Sequence, residues 1–134
     1  MAVFESSEQF QTCAKILFDR LLSQNPEAAG PVEKAKLLMQ FRCSEPSVTF
    51  LINGRRRPAT VEFGDVRIRP EIFAELSTDT LNQILLGTLT LSKALSSNAL
   101  RVHGSVWKVT SLADLFQECQ TLYPEVLREQ GLLS

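Results

Sequence analysis

Ser77-Thr-Asp-Thr-Leu-Asn-Gln-Ile-Leu-Leu-Gly87-Thr-Leu-Thr-Leu-Ser-Lys-Ala-Leu-Ser-Ser-Asn-Ala-Leu-Arg-Val-His-Gly104 decides the fold of this chain. Ser77 is a helix-capping residue, and Asp79 falls in the first turn, where a carboxylate complements the positive helix end. Leu81, Ile84 and Leu85 then share one face at helical spacing. Gly87 stops that helix. A second short helix is expected around Leu91–Ser96. After it, Leu100 and Val102 alternate with Arg101 and His103, the period of a strand with one buried face. Gly104 ends that strand.

The segments before this stretch read mainly as strands. Ala28-Ala29-Gly30-Pro31 is a connector, and a helical turn is expected near residues 31–35. Leu37, Met39, Phe41 and Cys43 alternate with Leu38, Gln40 and Arg42, though Leu38 breaks the pattern. Val48–Ile52 is a second strand. It runs into Asn53-Gly54, a pair that favours a type I′ hairpin turn because both central residues need positive φ. Ala59–Phe63 returns, with Pro58 at its start. Gly64-Asp65 is a further turn. Val66 and Ile68 then alternate with Arg67 and Arg69, and Ile72, Ala74 and Leu76 with Glu71, Phe73 and Glu75. Together they predict an antiparallel meander with one apolar face. Glu62, Arg67, Arg69, Glu75, Arg101 and His103 fall on the other, solvated face.

Helices bracket these strands. Ser6-x-x-Gln9 reads as a capping box. Phe10, Cys13, Ala14, Leu17, Phe18, Leu21 and Leu22 follow at three- and four-residue steps until Asn25-Pro26. At the other end Ser105 opens a long helix through Val106, Val109, Leu112, Ala113, Phe116, Cys119 and Tyr123. Pro124 ends it or begins a final one. The expected fold is α+β, a five-stranded, mainly antiparallel sheet with helices covering one face. One domain is expected over 1–134, with an N-terminal helix and connector over 1–30.

Composition narrows the function. A chain of 134 residues with 44% hydrophobic and 22% charged residues is an ordinary globule in composition. It buries roughly 68–70% of its unfolded surface, enough for a sizeable core. A net charge of −1 gives no ground for a nucleic-acid partner. The three widely spaced cysteines, Cys13, Cys43 and Cys119, read as reduced thiols in the cytoplasm. No signal peptide is visible, and no run approaches the ~20 apolar residues needed to span a bilayer, so stable membrane insertion is not expected. The final Leu-Leu-Ser is not a Ser-Lys-Leu address.

The order of motifs resembles the sterol carrier protein 2 (SCP-2-like) family, in the manner of its bacterial single-domain members. That resemblance runs over 36–134. It rests on Leu85-Leu86-Gly87 closing a capped helix, Lys93-Ala94-Leu95 in a short Leu-rich helix, and Leu100-Arg101-Val102-His103-Gly104 as a strand ended by glycine. The hairpin before them and the long helix after them fall in order. The resemblance implies a non-enzymatic lipid-binding or lipid-transfer domain with no cofactor. Its ligand would be an acyl chain, isoprenoid, sterol-like or other apolar small molecule, in a tunnel between sheet and helices. Phe50, Ile52, Val61, Phe63, Leu81, Leu85, Leu95, Leu112 and Phe116 are the expected lining residues.

No other constellation competes with that reading. His103 is the only histidine; metal and triad chemistry both need partners the sequence does not offer. His103-Gly104-Ser105 reads as a strand-edge histidine beside a helix-capping serine. Arg55-Arg56-Arg57 supplies roughly 3 kcal/mol at an anionic membrane, at ~1 kcal/mol each. No exposed apolar residue accompanies it in sequence, so a solvated turn is expected. Periodicity does not distinguish a filled core from a lined tunnel. An empty pocket of about 300 Å³ costs roughly 7 kcal/mol at ~24 cal/mol per Å³. Against a total stability of about 5–15 kcal/mol, partial collapse or a resident lipid is expected. The alternative is a structural or interaction module with a self-filled core. Its segment Val126-Leu127…Leu132-Leu133 would then pack on a second copy, as a homodimer, or on a protein partner.

Overall fold

The computed structural model describes residues 4–64 and 67–132. The expected places of Asp65 and Val66, and of Leu133 in the C-terminal segment, lie outside the described residues. Helix α1 spans Ser7–Gln24. Its cap is the one the sequence announces: the Ser6 hydroxyl oxygen accepts from Gln9 N at 3.2 Å. The Gln9 side chain reaches back to Glu5 N at 2.8 Å, one residue beyond the reciprocal bond of a capping box. A 3-10 turn over Pro26–Ala29 and a short helix α2, Gly30–Lys34, lead into the sheet.

Five strands form that sheet: β1 Leu38–Ser44, β2 Val48–Asn53, β3 Thr60–Phe63, β4 Ile72–Ser77 and β5 Leu100–His103. Their order is β3-β2-β1-β4-β5. Three neighbouring pairs are antiparallel, and β1 with β4 is parallel, Met39 lying opposite Ile72 and Cys43 opposite Leu76. The fold is therefore α+β with a mainly antiparallel sheet, not a simple meander. The stretch 64–71 carries the chain back to the end of the sheet where β1 starts. Its ends are tied by Gly64 N to Thr49 O at 3.0 Å and Glu71 N to Leu38 O at 3.1 Å. Arg67, Ile68 and Arg69 lie in this connection and in no strand.

Helices α3 (Thr78–Leu86), α4 (Leu91–Ser96) and α5 (Ala113–Glu129) complete the fold. Met39, Phe41, Phe50, Ile52, Ile72, Ala74 and Leu100 point to one sheet face. They join Leu17 and Leu21 of α1, Leu81 and Leu85 of α3, and Leu115, Phe116 and Tyr123 of α5 in one buried cluster. The opposite face carries Gln40, Arg42, Glu75, Arg101 and His103. Leu38 and Leu51 also point there, yet both are buried and stand apart from the main cluster. The start of β1 is thus covered on both sides, which is why Leu38 breaks the two-residue period.

Two local expectations are corrected. Asn53-Gly54 makes no two-residue turn: Asn53 pairs with Thr60, leaving a loop between them. Gly54 is needed for close approach instead. It donates to Leu37 O at 2.6 Å, and a Cβ there would sit 2.3 Å from Val32 O. The closing helix is also two pieces. Val106–Leu112 is 3-10, and α5 begins only at Ala113 and runs through Pro124.

Candidate functional site

The expected lining residues are drawn to the same side of the sheet. Phe50 and Ile52 are buried on β2, and Val61 and Phe63 are half-buried on the edge strand β3. Leu81 and Leu85 are buried on α3, and Leu112 closes the 3-10 stretch. Leu95 is half-buried on α4, and Phe116 is buried on α5. All belong to the core cluster or pack against it. Aromatic rings pack together between sheet and helices. Phe41 and Phe50 stack with centroids 4.8 Å apart and planes 6° from parallel. Phe63 lies 5.5 Å from Phe50, and Phe116 meets Phe41 edge-on at 6.3 Å. Such pairs add to the burial of their area.

Open space begins where that stack ends. A concavity of about 340 Å³ lies between α3, α4 and α5, walled by Ile84, Leu89, Leu91, Ala113 and Phe116, with Thr90, Gln117 and Gln120 at its polar edge. A second, of about 170 Å³, adjoins it through Leu91, Ser92 and Ala113 and adds Leu95, Val109 and Thr110. Leu91 of α4 lines both, and Leu95, one turn on, lines the smaller one. Helix α4 is only six residues long. Thr90 caps it through Lys93 N at 3.1 Å, and Ala94 is its one fully buried residue. Phe116 belongs to both regions: it walls the outer concavity and touches the ring stack behind it.

Of the expected residues, then, Leu95 and Phe116 line these two concavities, and the other seven lie in or against the packed core. Ile84, Leu89, Leu91 and Val109 line the open space without having been singled out. The half-burial of Leu89 and Leu91 is their mark, and periodicity carries no such signal.

No histidine, cysteine or carboxylate side chain among the described residues lines either concavity. Burial pushes the Cys43 thiol up to about 12. Burial also raises Cys119, helped by the charge of Glu118, and raises Cys13. A protonated thiol is a poor nucleophile. His103 Nε2 lies 3.0 Å from Glu75 Oε1, exposed on the far sheet face. A polar concavity of about 670 Å³ opens on that face among Arg42, Glu75, Arg101, Ser44, Ser77 and Asn98. Among the described residues no group of histidine, cysteine and carboxylate side chains could hold a metal ion, and no helix is long and apolar enough to cross a membrane.

The sequence pattern of the SCP-2 sterol transfer family matches residues 18–117, from within α1 to the first turns of α5. The chain belongs to this family. Solved members share its architecture. The sterol carrier protein domain 2 of Helicoverpa armigera is 18% identical, with 87% of this chain and 91% of that one covered and a TM-score of 0.66. Sterol carrier protein 2 from Yarrowia lipolytica, in its apo form, is 19% identical over 73% and 80%, with a TM-score of 0.58. Sterol carrier protein 2 of Aedes aegypti, solved in complex with the C16 fatty acid palmitate, is 14% identical over 69% and 93%, with a TM-score of 0.51. At these identities the likeness is one of fold. A search of curated protein sequences finds no match.

Proposed function

We propose that this chain binds and transfers an apolar lipid without catalysing a reaction, and that the lipid enters between α4 and the start of α5. The position of Phe116 carries the reading. Its ring separates a pocket of about 340 Å³, within the usual ~300–1,000 Å³ of ligand sites, from the aromatic stack on the sheet. Turning that ring and lifting the short α4 would join the outer pocket to the interior. An acyl chain, isoprenoid or sterol-like body would then replace ring contacts with its own. Affinity would come from apolar burial at about 25 cal/mol per Å². Thr90, Gln117 and Gln120 would meet a polar head at the edge. The palmitate-bound Aedes relative supports an acyl chain as the first ligand to try.

Phe116→Trp in a Trp107→Phe background gives one emitter on the proposed path. Titration with palmitate below its micelle concentration should produce a saturable change in its emission. Organic extraction of the purified protein should also release lipid. An unresponsive probe together with an empty extract would overturn the proposal.

The packed Phe41–Phe50–Phe116 stack favours one second reading, an accessory module whose core is filled by its own side chains. Of the C-terminal segment expected as its interface, Val126 and Leu127 are buried in this chain's own core, and Leu132 packs against it.

A further inference from the structure

Three large hydrophobic side chains are exposed among the described residues, and they gather at one end of the molecule. Trp107 is 69% exposed, Val106 48% and Ile68 38%. Glu71 is the knot that brings them together. Its carboxylate accepts from Lys108 Nζ at 3.1 and 3.0 Å and from Leu38 N at 3.3 Å. It also faces Arg55 at 3.9 Å. The loop after β2, the 67–71 connection and the turn after β5 therefore converge on one carboxylate. Lys108 Nζ lies 5.7 Å from the centre of the Trp107 ring, which fixes the indole beside this knot.

The same loops are strongly basic. Arg55, Arg56, Arg57, Arg67 and Arg69 are all exposed. Only Arg55 has an acidic partner among the described residues, and Glu71 is shared with Lys108. Two further acids flank the loop after β2: Glu33 accepts from Ala59 N at 2.8 Å, and Glu62 accepts from Asn53 Nδ2 at 3.3 Å and Thr60 Oγ1 at 3.1 Å. A positive field thus surrounds a small apolar tip led by an indole.

We propose that this end of the molecule docks reversibly on an anionic lipid bilayer. Indole rings settle at the headgroup level, with the ring in apolar surroundings and the N–H in water. Arginine guanidinium groups match lipid phosphates, and each basic side chain at an anionic surface raises partitioning roughly fivefold. Val106 and Ile68 add apolar contact that a nucleic-acid backbone has no use for. Arg55-Arg56-Arg57 alone lacks any apolar companion in sequence; the fold supplies three from distant positions. The docking face also adjoins the pocket mouth. Thr110 donates to Trp107 O at 2.9 Å, and Thr110 and Val109 line the smaller concavity. The docking face stands without the pocket; its use in loading a lipid rests on the function proposed above.

Flotation with phosphatidylcholine vesicles, with and without phosphatidylglycerol, tests the surface. The full chain should float only with the anionic vesicles, and added salt should release it. Trp107 emission should shift to the blue on binding and be quenched by brominated acyl chains. Arg56→Glu/Arg57→Glu should weaken binding at least about tenfold, and Trp107→Ala should weaken it severalfold. Both variants should keep the parent's circular dichroism and melting temperature, because the altered side chains are exposed. No binding to anionic vesicles, or binding that neither variant weakens, would overturn the proposal. So would arginine-dependent retention of single-stranded RNA without vesicle binding, which would reassign the surface to nucleic acid. Palmitate titration of the same proteins without vesicles keeps the two readings apart. Vesicle binding without palmitate binding removes the carrier function and leaves the docking face; the reverse removes the docking face alone.

Discussion

Tyr123 on α5 donates its hydroxyl to Asn82 Oδ1 on α3 at 2.6 Å, and both side chains are buried. It is a polar clasp between two helices. Tyr123→Phe keeps the ring and strands the Asn82 carbonyl without its partner. The expected loss is about 1–3 kcal/mol, the cost of leaving a buried acceptor unsatisfied. Urea unfolding measures it, and an unchanged midpoint would mean that water replaces the hydroxyl.

Alkaline pH should unfold this protein early. Burial pushes the Cys43 thiol up to about 12 from its ordinary 9.0. It also raises Cys13, Cys119 and Tyr123. Between the ordinary and the raised values the unfolded chain holds fewer protons than the folded one, so stability falls as pH rises. The contribution is whole below about pH 9 and is lost toward pH 12 and beyond, at ~1.4 kcal/mol per pH unit for each group released. Urea midpoints across this range should drop steeply, and Cys119→Ala should flatten the decline. A level profile would show that the thiols ionise in the folded state.

Gly104→Ala should be among the most damaging single changes. Its φ of +119° is one that side-chain-bearing residues rarely adopt, and a Cβ there would lie 2.6 Å from Glu71 O. The expected cost is about 2 kcal/mol or more, from overpacking and strain together. Gly131→Ala is the control. Its φ is also positive, at +75°, but it has open space around it, and it should cost about 1 kcal/mol.

Arg101→Ala should do little. Arg101 lies opposite Glu75 in the sheet register, but Glu75 gives its carboxylate to His103. Thermal unfolding should move by less than about 0.5 kcal/mol in stability, the usual range for an exposed side chain with no close partner. A loss of several kcal/mol would mean that the outer face is covered in solution.

The secondary structure was largely legible because local signals state it directly. Ser6 and Ser77 each accept from the backbone N–H three residues on, and the apolar alternation of β1, β2, β4 and β5 matches their buried face. What failed depended on distant neighbours. The Asn53-Gly54 pair looks like a turn, but Val32 O stands where a side chain on Gly54 would go. Leu38 and Leu51 are buried on the face that alternation assigns to water. Ile68, Val106 and Trp107 lie on or beside loops that Glu71 ties together across the chain. For the candidate pocket, sequence marks Phe116 as inward-facing but not that it stands at the boundary between core and open space.

The sheet has two parts, β3-β2-β1 and β4-β5, and they join through the parallel pairing of β1 with β4. That seam is made of residues far apart along the chain, so it closes late, after a loop-closure cost that the hairpins avoid. While the chain is being synthesised, β1 leaves the ribosome well before β4 exists. Until β4 arrives, Met39, Phe41 and Cys43 sit on a strand with one side of its backbone unpaired, an open template for another chain. A fragment ending at Phe63 would keep that edge for good. Its fate should be self-association, and the second half of the chain would serve the first as a shield before it serves any ligand.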